Sequence, residues 1–184
     1  DFNDLPSGMP ERAYSKEQFQ HLLFDTNLDS DDAGLHPKYD MSVRDYYDEI
    51  SNGQLEIYGD SKSIVDWTTV DHNYSYYVDG AQGTGEGSNG IARSAAALVV
   101  EIALAIADSL DFSKFDENKD GDVDVVILIV EGWGNGDDDQ FWPHMSIIPS
   151  TIISNDNDPD GDGILEFDGV AIKKYIVIPE QTFT

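Results

Sequence analysis

Acidic residues at alternate positions of two short segments are the residues of this sequence best suited to chemistry. The first acidic loop, 116–124, places oxygen-bearing side chains at its positions 1, 3, 5 and 9 and a glycine at position 6. Calcium prefers about six to eight oxygen ligands, and glycine permits the sharp turn that aims alternate side chains at one ion. The backbone carbonyl at position 7 is a natural further ligand. The predicted calcium ligands are Asp116, Asn118, Asp120, Asp122 and Asp124.

A second acidic loop, 158–166, repeats this arrangement. A frame that starts at Asp156 also places Asp at positions 1, 3 and 5, so the register of this loop stays open. Because clustered carboxylates repel one another, calcium at extracellular concentrations is expected to order both loops and stabilise the fold. Two other acidic runs, 29–32 and 137–139, lack the alternation and are predicted to be solvated loops. The predicted ligands of the second loop are Asp158, Asp160, Asp162 and Glu166.

The overall charge and composition exclude several classes of function. The chain of 184 residues has 10 Lys and Arg against 37 Asp and Glu, a formal net charge of −27. So many carboxylates repel a phosphate backbone, and we expect no nucleic-acid partner. The absence of cysteine excludes disulfides and a thiol nucleophile. No apolar run approaches the about 18 residues of a membrane span, so no membrane insertion is expected.

No catalytic group can be assigned from the residues themselves. The four histidines, His21, His36, His72 and His144, show neither His-x-x-x-His nor His-Glu-x-x-His spacing, so no helical zinc pair is present. His144 is the best candidate for a catalytic role, because it has aromatic neighbours and follows the predicted central strand. A structural role is nevertheless favoured for it. The glycines of 79–90 lack the preceding strand of a phosphate-binding fingerprint, and no Gly-x-Ser-x-Gly elbow occurs. A non-enzymatic extracellular calcium-binding module or adhesin is therefore one interpretation.

Alternating helices and strands are predicted to position these loops. Serine-capped short helices are expected to begin near Ser15 and Ser42. The apolar segment 91–110 predicts a helix buried between layers, and 79–90 is predicted to be a mobile loop. Helices and strands intermix, which favours an α/β or α+β layered domain. Strands are predicted around 55–57, over 125–130 as a central strand covered on both faces, and over 170–178.

Several motifs, taken in their order, resemble the secreted zinc metalloproteases of the immune inhibitor A type. The resemblance covers nearly the whole chain. It is carried by SVRDYYDEISNGQLEIYG at 42–59, FDENKDGDVDVVILIVEGWG at 115–134, Trp-Pro-His at 142–144 and the late strand that ends at 178–180.

This resemblance implies a zincin-like N-terminal lobe, in which a mixed twisted sheet packs with helices. Residues 1–184 would be part of a metalloprotease catalytic domain, with the first acidic loop as a calcium site. The family's His-Glu-x-x-His helix, whose histidines bind zinc, is expected beyond Thr184, so zinc ligands cannot be assigned and the chain alone is expected to be inactive. The resemblance further implies secretion, protein or peptide substrates, and a sheet edge that pairs with extended substrate.

Overall fold

The structure, a computed structural model, describes residues 2, 5–9, 12–26, 41–134, 137–154, 158 and 160–181. The predicted solvated run 29–32, His36 and the alternative loop start at Asp156 lie outside the described residues. The chain forms two compact units, one of Ala13–Thr68 and one of Asp1–Arg12 with Thr69–Thr184. Both predicted acidic loops belong to the second unit.

The Ala13–Thr68 unit contains the two helices that serine caps predicted. Helix α1 spans Lys16–Phe24, and Ser15 and Gln18 form a complete capping box at its start. Helix α2 spans Val43–Ser51, and the Ser42 hydroxyl accepts a hydrogen bond from the backbone N–H of Asp45. Each cap satisfies backbone donors that the first helical turn leaves free. The predictions of both helices are confirmed.

The strand predicted around 55–57 is wrong for the described residues. Leu55 and Ile57 belong to no helix or strand, and Leu55 is 47% exposed. Glu56 instead forms an ion pair with Arg44, at 2.6 Å between Nη2 and Oε1. Alternation of apolar and polar residues indicates extended backbone, but a strand also needs a hydrogen-bonding partner that the alternation cannot supply.

The larger unit contains helices α3, Tyr74–Val78, and α4, Ala95–Ile106. Helix α4 begins later than the predicted 91–110, because the Ser94 hydroxyl caps it by accepting from the N–H of Ala97, and it ends at Ile106. The residues before this cap, Gly90–Ala92, form a 3-10 turn. Helix α4 packs into the core as predicted. Its buried residues are Ala95, Ala96, Leu98, Val99, Val100 and Ala103.

Two small sheets complete the mixed α/β architecture. The three-stranded sheet has the order β1-β5-β2, with strands Ile127–Trp133, Lys174–Gln181 and His144–Ile147. Strand β5 is parallel to β1 and antiparallel to β2. The second sheet is the β3–β4 hairpin, with strands Leu165–Phe167 and Val170–Ile172.

Two strand predictions differ from this topology. Among the described strands β5 is central, whereas β1, expected as the central strand, lies at an edge and leaves Ile127 39% exposed. The predicted strand 170–178 is divided at Lys173 between the two sheets. A run of β-branched residues predicts a strand but does not determine its neighbours.

A cluster of buried aromatic rings forms the core next to β1. Tyr74, Tyr77 and Phe141 are at most 1% exposed, and the Phe2 ring lies 5.2 Å from the Tyr74 ring. The Tyr74 hydroxyl donates to the Trp133 carbonyl at 3.1 Å and accepts from the Phe141 N–H at 2.9 Å. Burial raises the pKa of Tyr74 to about 12, so its phenol stays protonated and keeps this donor.

The Gly-rich segment 79–90 is held by turns and hydrogen bonds, in contrast to the predicted mobile loop. The Gln82 N–H donates to the Asp138 carbonyl at 3.0 Å, and the Gln82 carbonyl accepts from the Trp142 N–H at 3.1 Å. A Cβ at Gly83 would lie 2.5 Å from the Phe141 ring, and its φ of +76° also favours glycine. The glycines thus allow close packing on Phe141. The predicted solvated run 137–139 is an exposed turn.

Candidate metal centre

The second acidic loop gathers three carboxylates. Oxygen atoms of Asp158, Asp160 and Asp162 all lie within 4.8 Å of one another, and this is the one such group of acidic or histidine side chains found among the described residues. Ligands on opposite sides of a calcium ion are separated by about twice the Ca–O distance of about 2.3–2.6 Å. The spacing and the oxygen chemistry of this donor set therefore fit calcium.

Backbone geometry explains how the second loop presents these side chains. The Asp158 carboxylate accepts from the N–H groups of Gly161, Asp162 and Gly163, at 2.9, 3.1 and 2.8 Å. The chain turns sharply around this carboxylate, with Gly163 at φ +77° and packed against Ser150, where a Cβ would come within 2.5 Å. A side chain at this glycine position would therefore strain the turn.

Asp158 is charged and almost buried, at 8% exposure. Burial raises the pKa of its carboxyl, but hydrogen bonds from the backbone N–H groups of Gly163, Gly161 and Asp162 favour the charged form, and this pKa lies below its usual value. The carboxylate therefore stays ionised at neutral pH. An ionised, oxygen-only group is the form that a hard divalent cation requires.

The first acidic loop has the turn expected of it but arranges its carboxylates differently. Asp116 accepts from the N–H groups of Asp120 and Gly121, at 3.1 and 3.0 Å. Asn118 also accepts from Asp120 N–H, at 2.9 Å, and Asp124 accepts from Glu117 N–H, at 3.0 Å. Gly121 has φ +86°, as its position in the predicted loop requires. Asp116, Asn118 and Asp120 thus line one turn.

Asp122 departs from the interior of the first loop. Its carboxylate binds the Lys173 ammonium, with 2.5 Å between Oδ1 and Nζ. The sequence proposed the backbone carbonyl of Asp122 as a ligand, and that role leaves its side chain free for this ion pair. No role was predicted for Lys173 from the sequence, because this residue lies far from residues 116–124 along the chain.

Glu166 lies outside the group of three carboxylates. It sits on β3, where it pairs with Ala171 of β4, and its side chain is exposed. Its charge contributes to the raised pKa of Lys173, after the larger effect of Asp122. The structure thus places Glu166 near the lysine that binds the first loop. Its assignment as a ligand of the second loop stays a prediction.

The described histidines do not form a zinc site. His21 on α1 binds the Asp25 carboxylate, and His72 stacks on Tyr76 with 3.8 Å between ring centroids. His144 on β2 binds the Trp142 carbonyl through Nδ1 at 2.7 Å and the Tyr175 hydroxyl through Nε2 at 3.3 Å. The structural role favoured for His144 agrees with these contacts.

Strand β2 offers an edge that the sequence did not identify. The Ile148 N–H donates to the Lys173 carbonyl at 2.9 Å, and bonded pairs recur at every second residue of an antiparallel ladder. Residues 144 and 146 therefore direct their backbone groups toward β5, while Met145 and Ile147 direct theirs toward the other side. No described strand pairs there. The Met145 and Ile147 side chains are 72% and 62% exposed.

No helix in the described part of the chain is long and apolar enough to cross a membrane.

Comparison with known proteins gives one family. No curated protein matches the chain. The sequence profile described as "Immune inhibitor A peptidase M6, catalytic domain" matches residues 2–182, nearly the whole chain. The resemblance found in the sequence motifs is thereby confirmed, and the chain belongs to the immune inhibitor A peptidase M6 family.

Proposed function

We propose that this chain is part of a secreted, calcium-stabilised zinc metalloendopeptidase and forms a zincin-like N-terminal lobe of its catalytic domain. Membership of a peptidase family implies protein substrates. The outer edge of β2, with which no strand of the described residues pairs, is the observation that carries the finer proposal. A peptidase must hold its substrate extended beside the reacting groups, and an unpaired strand edge provides a surface for that.

Peptide alignment on β2 follows from the direction of its backbone groups. Met145 and Ile147 present N–H and C=O groups to the open side, so an extended peptide can add there as a further strand. Their exposed side chains would contact alternate residues of that peptide. We propose that this edge orients the substrate and gives apolar side chains of the peptide a surface on which to pack.

Zinc does not fit the described residues of this chain. Zinc sites in peptidases use histidine nitrogen with carboxylate oxygen, whereas the described group of three carboxylates contains no histidine. The sequence likewise has no His-Glu-x-x-His motif. We therefore propose that this chain supplies substrate alignment and calcium binding, and that zinc ligands belong to other residues of the enzyme.

Calcium has a defined place in this proposal. Asp158, Asp160 and Asp162 would hold one ion, and the turn of Asp116, Asn118 and Asp120 would hold a second. The ions would neutralise carboxylates whose mutual repulsion otherwise loosens both loops. The first loop leads into β1, so its order affects the sheet that carries the β2 edge. Extracellular calcium suits such sites, and this supports secretion.

The chain alone is expected to show no peptidase activity. Incubated with an unfolded protein substrate and added zinc, it should leave that substrate intact, because its residues do not include a zinc-binding histidine pair. The measurement is electrophoretic detection of fragments with and without a zinc chelator. Cleavage that the chelator abolishes would overturn the proposal that the zinc ligands lie elsewhere.

Replacing Ile147 by proline tests the β2 edge in the complete protease. Proline removes an N–H that points away from β5, so the ladder with β5 stays intact while one donor to the peptide is lost. We expect kcat/KM for peptides to fall by about tenfold, the equivalent of about 1.4 kcal/mol of binding to the transition state.

The matched control for this experiment is Ile147→Val, which keeps the N–H and most of the side chain. It should retain kcat/KM within about threefold of the parent enzyme. Thermal unfolding of both variants shows whether the fold is intact. Equal activity of the proline and valine variants in intact proteins would contradict substrate pairing at β2.

A further inference from the structure

Lys173 lies where the first acidic loop meets the β3–β4 hairpin. Its backbone occupies the break between β4 and β5, and its carbonyl accepts from the Ile148 N–H beyond β2 at 2.9 Å. Its ammonium lies 2.5 Å from the Asp122 carboxylate. One residue thus contacts the first loop through its side chain and the end of β2 through its backbone.

The first loop is also joined to the hairpin by its backbone. Asp122 forms a parallel bridge with Ala171 of β4. The Ala171 N–H donates to the Gly121 carbonyl at 2.8 Å, and the Ala171 carbonyl accepts from the Val123 N–H at 2.9 Å. Ala171 pairs on its other side with Glu166. Residues 121–123 therefore lie beside β4 and are joined to it by one isolated parallel bridge.

The Lys173 ammonium contacts the Asp122 carboxylate, and the charges of two further carboxylates also act on it. The Asp122 carboxylate is the main cause of the raised pKa of Lys173; burial opposes this effect, and the charges of Asp120 and Glu166 add to it. Asp120 is a predicted calcium ligand of the first loop, so Lys173 and a calcium ion would act on the same group of negative charges. Like charges repel, so each cation would weaken the attraction of the loop for the other.

We propose that Lys173 is a tethered cation that holds the first acidic loop against the β3–β4 hairpin when calcium is absent and that lowers the affinity of this loop for calcium. This proposal rests on the proposed calcium site of the first loop. Lys173 thereby sets the calcium concentration at which the loop fills. It also keeps the hairpin and the end of β2 in place before the ion binds.

The test is Lys173→Met, which keeps the length and apolar character of the side chain and removes its charge. In chelator we expect the midpoint of thermal unfolding to fall by about 2–4 °C, because the loop loses its cation. Calorimetric titration with calcium should show the opposite change. The affinity of the first loop should rise by about fivefold once the repelling charge is gone.

The titrations use the Asp158→Asn background, so that heat from the second loop does not obscure the first. Lys174→Met is the matched control: Lys174 is the next residue, is exposed, and has no ion pair with the described part of the chain. It should change neither quantity. Lys173→Arg, which keeps the charge, should behave as the parent protein in both measurements.

The possible outcomes separate this inference from the proposed function. No calcium binding by the parent protein would contradict the calcium site itself. Binding by the parent protein with equal affinities in Lys173→Met and Lys174→Met would overturn the role of Lys173 alone. A fall in the unfolding midpoint without a rise in calcium affinity would reduce Lys173 to an ordinary surface ion pair, and that result also contradicts the inference.

Discussion

Replacement of Phe141 by alanine is expected to lower the free energy of unfolding by about 3–5 kcal/mol. Phe141 is fully buried, with its ring 5.1 Å from that of Tyr74 and 6.2 Å from that of Phe2. Its ring also fills the space that Gly83 leaves open. Alanine would leave a cavity between these elements, and backbone that is fixed by hydrogen bonds can close such a cavity only partly.

Urea unfolding followed by tryptophan fluorescence measures this loss. The control variant is Trp142→Ala. Because it removes a fluorophore, its unfolding is followed by far-ultraviolet circular dichroism. Trp142→Ala changes the next residue, which is 51% exposed, and should cost less than about 1 kcal/mol. Similar losses for Phe141→Ala and Trp142→Ala would contradict the view that this core packs on Phe141.

Phe141 also affects the proposed substrate surface. Phe141 is followed by Trp142, whose N–H donates to Gln82, and then by β2. The buried ring therefore fixes the point at which the chain enters β2, the strand whose outer edge we propose as the substrate surface. A cavity at Phe141 is expected to loosen the start of β2 as well as to lower stability.

Local features of the structure were predicted well from the sequence, because the residues that cause them lie close together along the chain. Ser15 and Ser42 each accept a hydrogen bond from an N–H three residues ahead, so spacing alone indicated both helix starts. The alternation of Asp158, Asp160 and Asp162 similarly determined their convergence. The family was also predictable, since order and spacing of several motifs were present in the sequence itself.

Features that depend on distant residues were not predictable in this way. The sequence could not indicate that β5 lies between β1 and β2, because similar apolar runs form central and edge strands. The division of the predicted strand 170–178 also depends on distant residues. The chain passes from the β3–β4 hairpin to the three-stranded sheet at Lys173, where the side chain of this lysine binds Asp122. Only the fold brings the two members of this ion pair together, so no local pattern in the sequence could indicate it.

Addition of calcium is expected to raise the midpoint of thermal unfolding by about 5–10 °C for each filled loop. A ligand that binds only the folded state at a hundredfold excess over its dissociation constant adds about 2.7 kcal/mol, and a chain of this size gains about 2–4 °C per kcal/mol. The carboxylates of Asp158, Asp160 and Asp162 lie close together, and a bound calcium ion would remove their mutual repulsion. Differential scanning calorimetry with calcium and with chelator measures the shift.

Two variants assign this shift to the loops. Asp158→Asn removes a charge from the second loop, where the carboxylate accepts three backbone N–H groups, and should abolish about half of the calcium-induced rise. Asp108→Asn removes an exposed charge outside both loops and should leave the rise unchanged. Magnesium at equal concentration should give a smaller rise, because it loses its water reluctantly and demands octahedral geometry. Equal midpoints with calcium and with chelator would contradict structural calcium in this domain.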